Sequence, residues 1–227
     1  MMSDSGKSEE LFEPDSKPFL QPDSHVDRRS RHLPHWQLDG GFYYVTWRLA
    51  DALPQSKLQA WMDEKRQWLK EHPPPWTRET YVDYKQRFPT RIDAWLDAGY
   101  GSCVLRTPGC RRLVSDALLY FDNDRYDMAA FVVMPNHVHA LAQLRGTARI
   151  ETVTHSWKRY SARQINKRLN RHGSLWQQEN WDRILRGVPD LVRCLSYIRR
   201  NPELAGLAGN EYTYYESPSL PDAIAET

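Results

Sequence analysis

Apolar positions along the chain fall into segments with different periods. Residues 129–144 (AAFVVMPNHVHALAQL) hold an apolar run, a Met-Pro-Asn-His break and a second apolar run. The pattern predicts two strands, about 127–135 and 137–144, joined at a tight turn. Residues 41–49 (GFYYVTWRL), dense in aromatic and β-branched side chains between Gly-Gly and Pro54, predict another strand. Helical spacing of Leu58, Trp61, Met62, Trp68 and Leu69 predicts a helix over 56–71, stopped by Pro73, Pro74 and Pro75. Further helices are expected over about 78–98, interrupted near Pro89, over 108–121, and over 150–171, ending at Gly173. Residues 101–105 read as a short strand. A last helix is expected from 189 to about 201, with Leu191, Leu195 and Ile198 as its buried stripe. Strands separated by helices, with one hairpin, point to an α+β fold in which helices pack on a small, mostly antiparallel sheet.

Charge changes this picture at the ends of the chain. Residues 1–27 carry seven acidic and two basic side chains and show no periodicity. A disordered acidic tail over 1–30, a domain over 31–208 and a loosely held C-terminal tail over 209–227 are therefore expected. Without residues 1–27, 29 basic side chains face 22 acidic ones, a balance that suits a polyanionic partner. No apolar run approaches the ~18–20 residues a membrane span needs, so a cytoplasmic protein without membrane contact is expected. Cys103, Cys110 and Cys194 are isolated, which argues against a disulfide framework or a thiolate zinc site.

Candidate chemistry centres on His137 and His139. Side chains two apart on a strand share a face, so both imidazoles are placed to hold one cation while leaving coordination positions open. Two partners for this pair present themselves. Tyr197 and Asn201 lie four apart on the last helix, on a face away from its apolar stripe and flanked by Arg193 and Arg200. Tyr160 and Gln164 repeat the same spacing on the preceding helix. A phenol is a possible nucleophile toward a phosphodiester, an amide oxygen can help hold a cation, and guanidinium groups bind phosphate oxygens. Spacing alone does not choose between the two pairs. The helix carrying Tyr160 also holds Lys158, Arg159, Arg163, Lys167, Arg168 and Arg171, six bases in fourteen residues with no acid among them. This is either a solvated face or a phosphate-binding one. A short basic cluster at Arg28, Arg29, Arg31 and His32 is ambiguous in the same way.

Four segments taken together narrow the choice. MPNHVH, SWKRYSARQIN, LWQQENWDRILR and YIRRNPELAGL, in that order, resemble the REP-associated tyrosine transposases, relatives of the single-tyrosine HUH transposases. LPHWQ, FYYVTWRLADALP and WLDAGYGSCVLR extend the resemblance over about 31–207. It implies a ferredoxin-like βαββαβ core, with Mg²⁺ or Mn²⁺ held by His137, His139 and Asn201, and Tyr197 as the nucleophile. Tyr160 then becomes a DNA contact or a packing residue. The implied activity is metal-dependent cleavage and strand transfer of single-stranded DNA at repetitive extragenic palindromic hairpins. It proceeds through a 5′-phosphotyrosine without a nucleotide cofactor, in a monomer associated with the nucleoid. Expected DNA contacts are Lys158, Arg159, Arg163, Lys167, Arg168, Trp176, Gln177, Asp182, Arg183, Arg186, Arg193 and Arg200. The alternatives are a hairpin-binding protein with vestigial chemistry and a hydrolase acting through water.

Overall fold

The computed structural model describes residues 27–30, 34–178 and 180–218. A two-stranded antiparallel ladder pairs β1 (Asp27–Ser30) with β2 (Pro34–Gln37). The expected disordered tail therefore lies outside the described residues up to 26, while 27–30 is a strand. The main sheet is built from β3 (Phe42–Arg48), β4 (Tyr126–Val133), β5 (His137–Leu144), β6 (Trp181–Ile184) and β7 (Thr213–Glu216). Its order is β6-β3-β5-β4-β7, and every neighbouring pair is antiparallel. Between the strands lie α1 (Gln55–Glu71), α2 (Arg78–Arg87), α3 (Pro89–Asp97), α4 (Pro108–Leu119), α5 (Ile150–Arg168) and α6 (Val188–Leu204). The path β3-α4-β4-β5-α5-β6, with its first strand between the last and the third, is the ferredoxin-like βαββαβ arrangement. The expected α+β fold is what the chain adopts.

Strand alternation divides the side chains between two layers. Tyr43, Val45 and Trp47 of β3, Val138 and Ala140 of β5, and Phe131 and Val133 of β4 point to one side. There they meet Val114 and Leu118 of α4 and Ile150, Val153, Trp157 and Ile165 of α5. Tyr44, Leu141, Ala130 and Val132 point to the other side and meet Leu191, Cys194, Leu195 and Ile198 of α6. The His pair shares this second side with α6, whereas the basic helix α5 covers the first.

The segment joining β3 to α4 folds into α1–α3 around aromatic contacts. Trp68 packs on Trp76, Tyr84 and Phe88, and its indole N–H donates to Asp83 at 3.0 Å. The expected break at Pro89 separates α2 from α3, with Pro89 at the start of α3, where no amide hydrogen is missed.

Three local expectations change. Residues 101–105 are not a strand, because Gly101 (φ +88°) and Cys103 (φ 46°) turn the backbone through the left-handed region, and a short 3₁₀ turn, Val104–Arg106, follows. α6 continues past Asn201 to Leu204, carrying Pro202 in its last turn. The tail expected to be loosely held after residue 208 instead supplies β7, whose neighbour Ser217 donates to the Ala129 carbonyl at 2.8 Å. Buried Arg111 fixes this segment by donating to the carbonyls of Leu105, Arg106 and Asn210 and to the Thr213 hydroxyl.

Candidate active site

The β4–β5 turn sets the geometry of the His pair. Met134 N–H donates to the His137 carbonyl at 2.9 Å, closing the hairpin around Pro135 and Asn136. Asn136 is fully buried, and its amide nitrogen donates to the carbonyls of Leu96 and Tyr100, each at 3.1 Å. Its amide oxygen must then be the group 2.8 Å from His137 Nδ1. An oxygen there only accepts, so Nδ1 carries the proton and Nε2 is left with its lone pair free. One side chain thus docks the end of α3 and selects the His137 tautomer.

His139 is oriented from β3. Its Nδ1 lies 2.8 Å from the hydroxyls of both Tyr44 and Thr46. Thr46 is its register partner across the ladder, and the Tyr44 ring stacks on the imidazole at 5.7 Å and 15°. A proton on Nδ1, donated to one hydroxyl, would leave Nε2 with a lone pair, and Nε2 is buried with no hydrogen-bond partner. The two imidazole centroids are 4.8 Å apart at 80°. Burial drives both rings toward the neutral form, His137 down to about 3 with a further push from the Arg48 guanidinium, and His139 well below its ordinary value. Neutral imidazole is the form that ligates a metal.

α6 delivers the other two groups. Asn201 is fully buried next to His137, yet neither its amide oxygen nor its nitrogen has a hydrogen-bond partner. Polar atoms left this way are rare in folded proteins and cost about 1–3 kcal/mol each. Tyr197, one turn earlier, is half-buried, with its ring 5.3 Å from His139 at 80° and 6.4 Å from Tyr44 at 75°. Both residues face inward and flank the apolar stripe, so the buried face of α6 is wider than the spacing of Leu191, Leu195 and Ile198 suggests. Burial, followed by the charges of Asp93 and Asp97 on α3, holds the Tyr197 phenol far above its usual titration range.

His139 and Asn201, whose buried polar atoms lack hydrogen-bond partners, together with the neighbouring His137 fit a divalent cation. Among the described residues no three His, Cys, Asp or Glu side chains gather to make a different centre. The competing pair is elsewhere: Tyr160 is exposed on α5, the helix that packs on the opposite side of the sheet.

Several expected DNA contacts sit in other roles. Trp176 is buried, donates its indole N–H to the Ser161 hydroxyl at 3.0 Å and packs edge-on against Trp47, so it belongs to the core. Arg183 is clamped to Asp190 at 2.5 and 2.9 Å, and Arg193 reaches the same carboxylate at 3.2 Å. Asp182, an anion, accepts from Asn180, and Gln177 is half-buried with its N–H on the Arg48 carbonyl. Lys158 donates to the Gln178 carbonyl, while Arg159, Arg163, Lys167 and Arg168 are exposed along α5, away from the His pair. Arg186 and Arg200 are exposed.

The motif reading missed Arg48, Tyr44, Thr46, Asn136 and Asp93, all of which touch or face the site. It also missed Trp181, an exposed tryptophan on β6 set edge-on to Tyr44 at 5.9 Å. For β3 the signal was present in the alternation of FYYVTWR, which puts Tyr44, Thr46 and Arg48 on one side.

Residues 114–186 match the model of the family described as "Transposase IS200 like". This stretch of the chain is similar to the IS200-like transposases. That segment includes both histidines and ends before Tyr197 and Asn201. The transposase-like segment also contains β4, β5, α5 and β6, four of the six elements of the ferredoxin-like core. A similar solved structure is described as the REP-associated tyrosine transposase bound to a REP hairpin. It is 16% identical, with a TM-score of 0.44 and coverage of 79% of this chain and 76% of that one. No match was found among curated proteins. No helix among the described residues is long and apolar enough to cross a membrane.

Proposed function

We propose that the protein cleaves single-stranded DNA and transfers the cut strand, with Tyr197 as nucleophile and His137, His139 and Asn201 as ligands of Mg²⁺ or Mn²⁺. The observation that carries this reading is the meeting of buried, unsatisfied ligand atoms on His139 and Asn201 with a phenol on the same helix face. The transposase-like segment and the motif resemblance support DNA as substrate, with repetitive palindromic hairpins as the class. A bound divalent cation would supply Lewis-acid polarisation of the scissile phosphate.

The chain's own residues do the rest. Asn136 holds His137 in the ligating tautomer, and Tyr44 and Thr46 orient the His139 ring. The Tyr197 oxygen attacks phosphorus and the 3′ oxygen leaves, giving a 5′-phosphotyrosine and a free 3′-hydroxyl. A 3′-hydroxyl attacking the phosphotyrosine reverses the step, so cleavage and joining share one site and no nucleotide is consumed. Arg48, on the same side of β3 as the ligand-holding residues, places positive charge beside His137, where a phosphate would lie.

The test uses labelled single-stranded hairpin DNA with Mn²⁺ and denaturing gels. Wild type and Tyr160→Phe should form a covalent protein–DNA adduct, and Tyr197→Phe should bind the hairpin without forming one. Cleavage without an adduct would establish a water-dependent hydrolase instead. Binding without cleavage in wild type would leave a hairpin-binding protein.

A further inference from the structure

One register row of the main sheet runs from β6 through β3 to β5. Trp181 pairs with Thr46, and Thr46 pairs with His139. Directly paired residues put their side chains on the same face of a sheet, so all three project to the α6 side. The Thr46 hydroxyl is 2.8 Å from His139 Nδ1. Trp181 is thus two strand spacings, about 10 Å, from His139. The neighbouring row repeats the pattern, with Arg183 of β6 paired to Tyr44 of β3, whose ring stacks on the same imidazole.

These neighbours hold Trp181 without covering it. The Tyr44 ring meets it at 5.9 Å and 75°. The Arg183 guanidinium lies 6.0 Å from its centroid and 5.9 Å from that of Tyr44, and is itself fixed by Asp190. Trp181 is nevertheless 49% exposed, whereas Trp47, Trp157 and Trp176 are buried in the other layer. β6 is the outer strand of the main sheet, so an open aromatic surface stands at its edge, beside the His pair. Positive charge gathers at the same place. Arg183 and Arg193 share the single carboxylate of Asp190, which leaves cationic charge in excess, and the Arg193 side chain is largely exposed.

We propose that Trp181 is a stacking platform for one base of the single-stranded flank that leads to the scissile phosphate. The inference rests on the reading of the His pair as a site for single-stranded DNA. An indole offers a wide π face on which any base stacks, and the adjoining guanidinium charge suits the phosphates of the same strand. A base held at Trp181 keeps the strand running across Thr46 toward His139, so the platform selects an unpaired strand over a duplex whose bases are already stacked on each other.

The test is binding of fluorescent hairpin DNA with Mn²⁺, read by anisotropy in the Tyr197→Phe background so that no strand is cut. The flank is intact or carries one abasic site, moved a nucleotide at a time. With Trp181 present, an abasic site on a nucleotide adjoining the bond that wild type cuts should weaken binding about 10-fold. Trp181→Ala should bind intact DNA about 10-fold more weakly and should not respond, beyond about twofold, to the abasic site at that position. Trp181→Phe, which keeps an aromatic face, should recover most of the affinity and the response. Losses from Trp181→Ala and the abasic site that simply multiply overturn the proposal. So does Trp181→Ala with undiminished affinity. Absence of hairpin binding in wild type overturns the DNA reading and the platform with it. Failure of the Tyr197 reading shows separately, as wild type that forms no adduct while the abasic pattern stands.

Discussion

His137 enters the site with its tautomer chosen, because both amide hydrogens of Asn136 are committed to the Leu96 and Tyr100 carbonyls. Asn136→Ala strands three buried partners at once. It should lower unfolding stability in urea by about 3 kcal/mol and weaken Mn²⁺ binding by calorimetry by roughly 10–100-fold. pH acts on the same residue. Its native titration near pH 3 lies below the value of about 6.5 expected when unfolded, so between those limits only the unfolded chain takes up the proton. Metal-free protein should therefore lose stability as pH falls through that window, by up to ~1.4 kcal/mol per unit for this group. Asp93 and Asp97, both raised to about 6, work in the opposite direction, losing stabilisation as pH rises toward 6. Denaturation of wild type against His137→Gln isolates the imidazole, and the variant should show the shallower acid slope. The pairing of His137 with His139 was legible from strand period alone, since residues two apart share a face. The placement of α3 was not legible: it docks through Asn136, a long-range contact with no local pattern. Trp176, expected as a DNA contact, is buried while Trp181 on β6 is exposed, and a four-residue edge strand carries too little alternation to announce that exposure.

Among the elements, α6 was the more readable and β7 the less. The apolar stripe of α6 marks its face, but its reach past Asn201 to Leu204 was hidden by Pro202, whose missing amide hydrogen matters less in a last turn. β7 is only Thr213–Glu216, with Tyr214 exposed and the rest partly buried, so neither apolar content nor alternation announces it. It is held by Arg111 from α4 and by Arg199 of α6, which pairs with Glu216 at 2.6 Å. Arg111→Met should remove the bonds to Asn210 and Thr213 and speed amide exchange in β7 first, while the amides of β3 and β5 keep their protection. Uniform loss of protection across the sheet would show that Arg111 stabilises the whole fold rather than this edge.

Across the whole molecule, the sheet separates two jobs. The candidate chemistry lies on the α6 side, while the densest positive charge, on α5, lies on the other, so DNA reaching both must pass around a sheet edge. Replacing Arg159, Arg163 and Lys167 together by Glu should weaken hairpin binding and flatten its salt dependence, by ~0.9 in log–log slope for each duplex phosphate that is no longer neutralised. The cleavage rate at saturating DNA should change little. A rate loss at saturation would place α5 closer to the chemistry than the fold does. The central claim is chemical, and peptide mapping of the covalent product addresses it directly. Hairpin DNA incubated with wild-type protein and Mn²⁺ should yield, after protease and nuclease digestion, a nucleotide phosphate on the peptide containing Tyr197 and a released strand ending in a 3′-hydroxyl. A nucleotide on Tyr160 or any other residue, or cut DNA with no peptide attached, would contradict it.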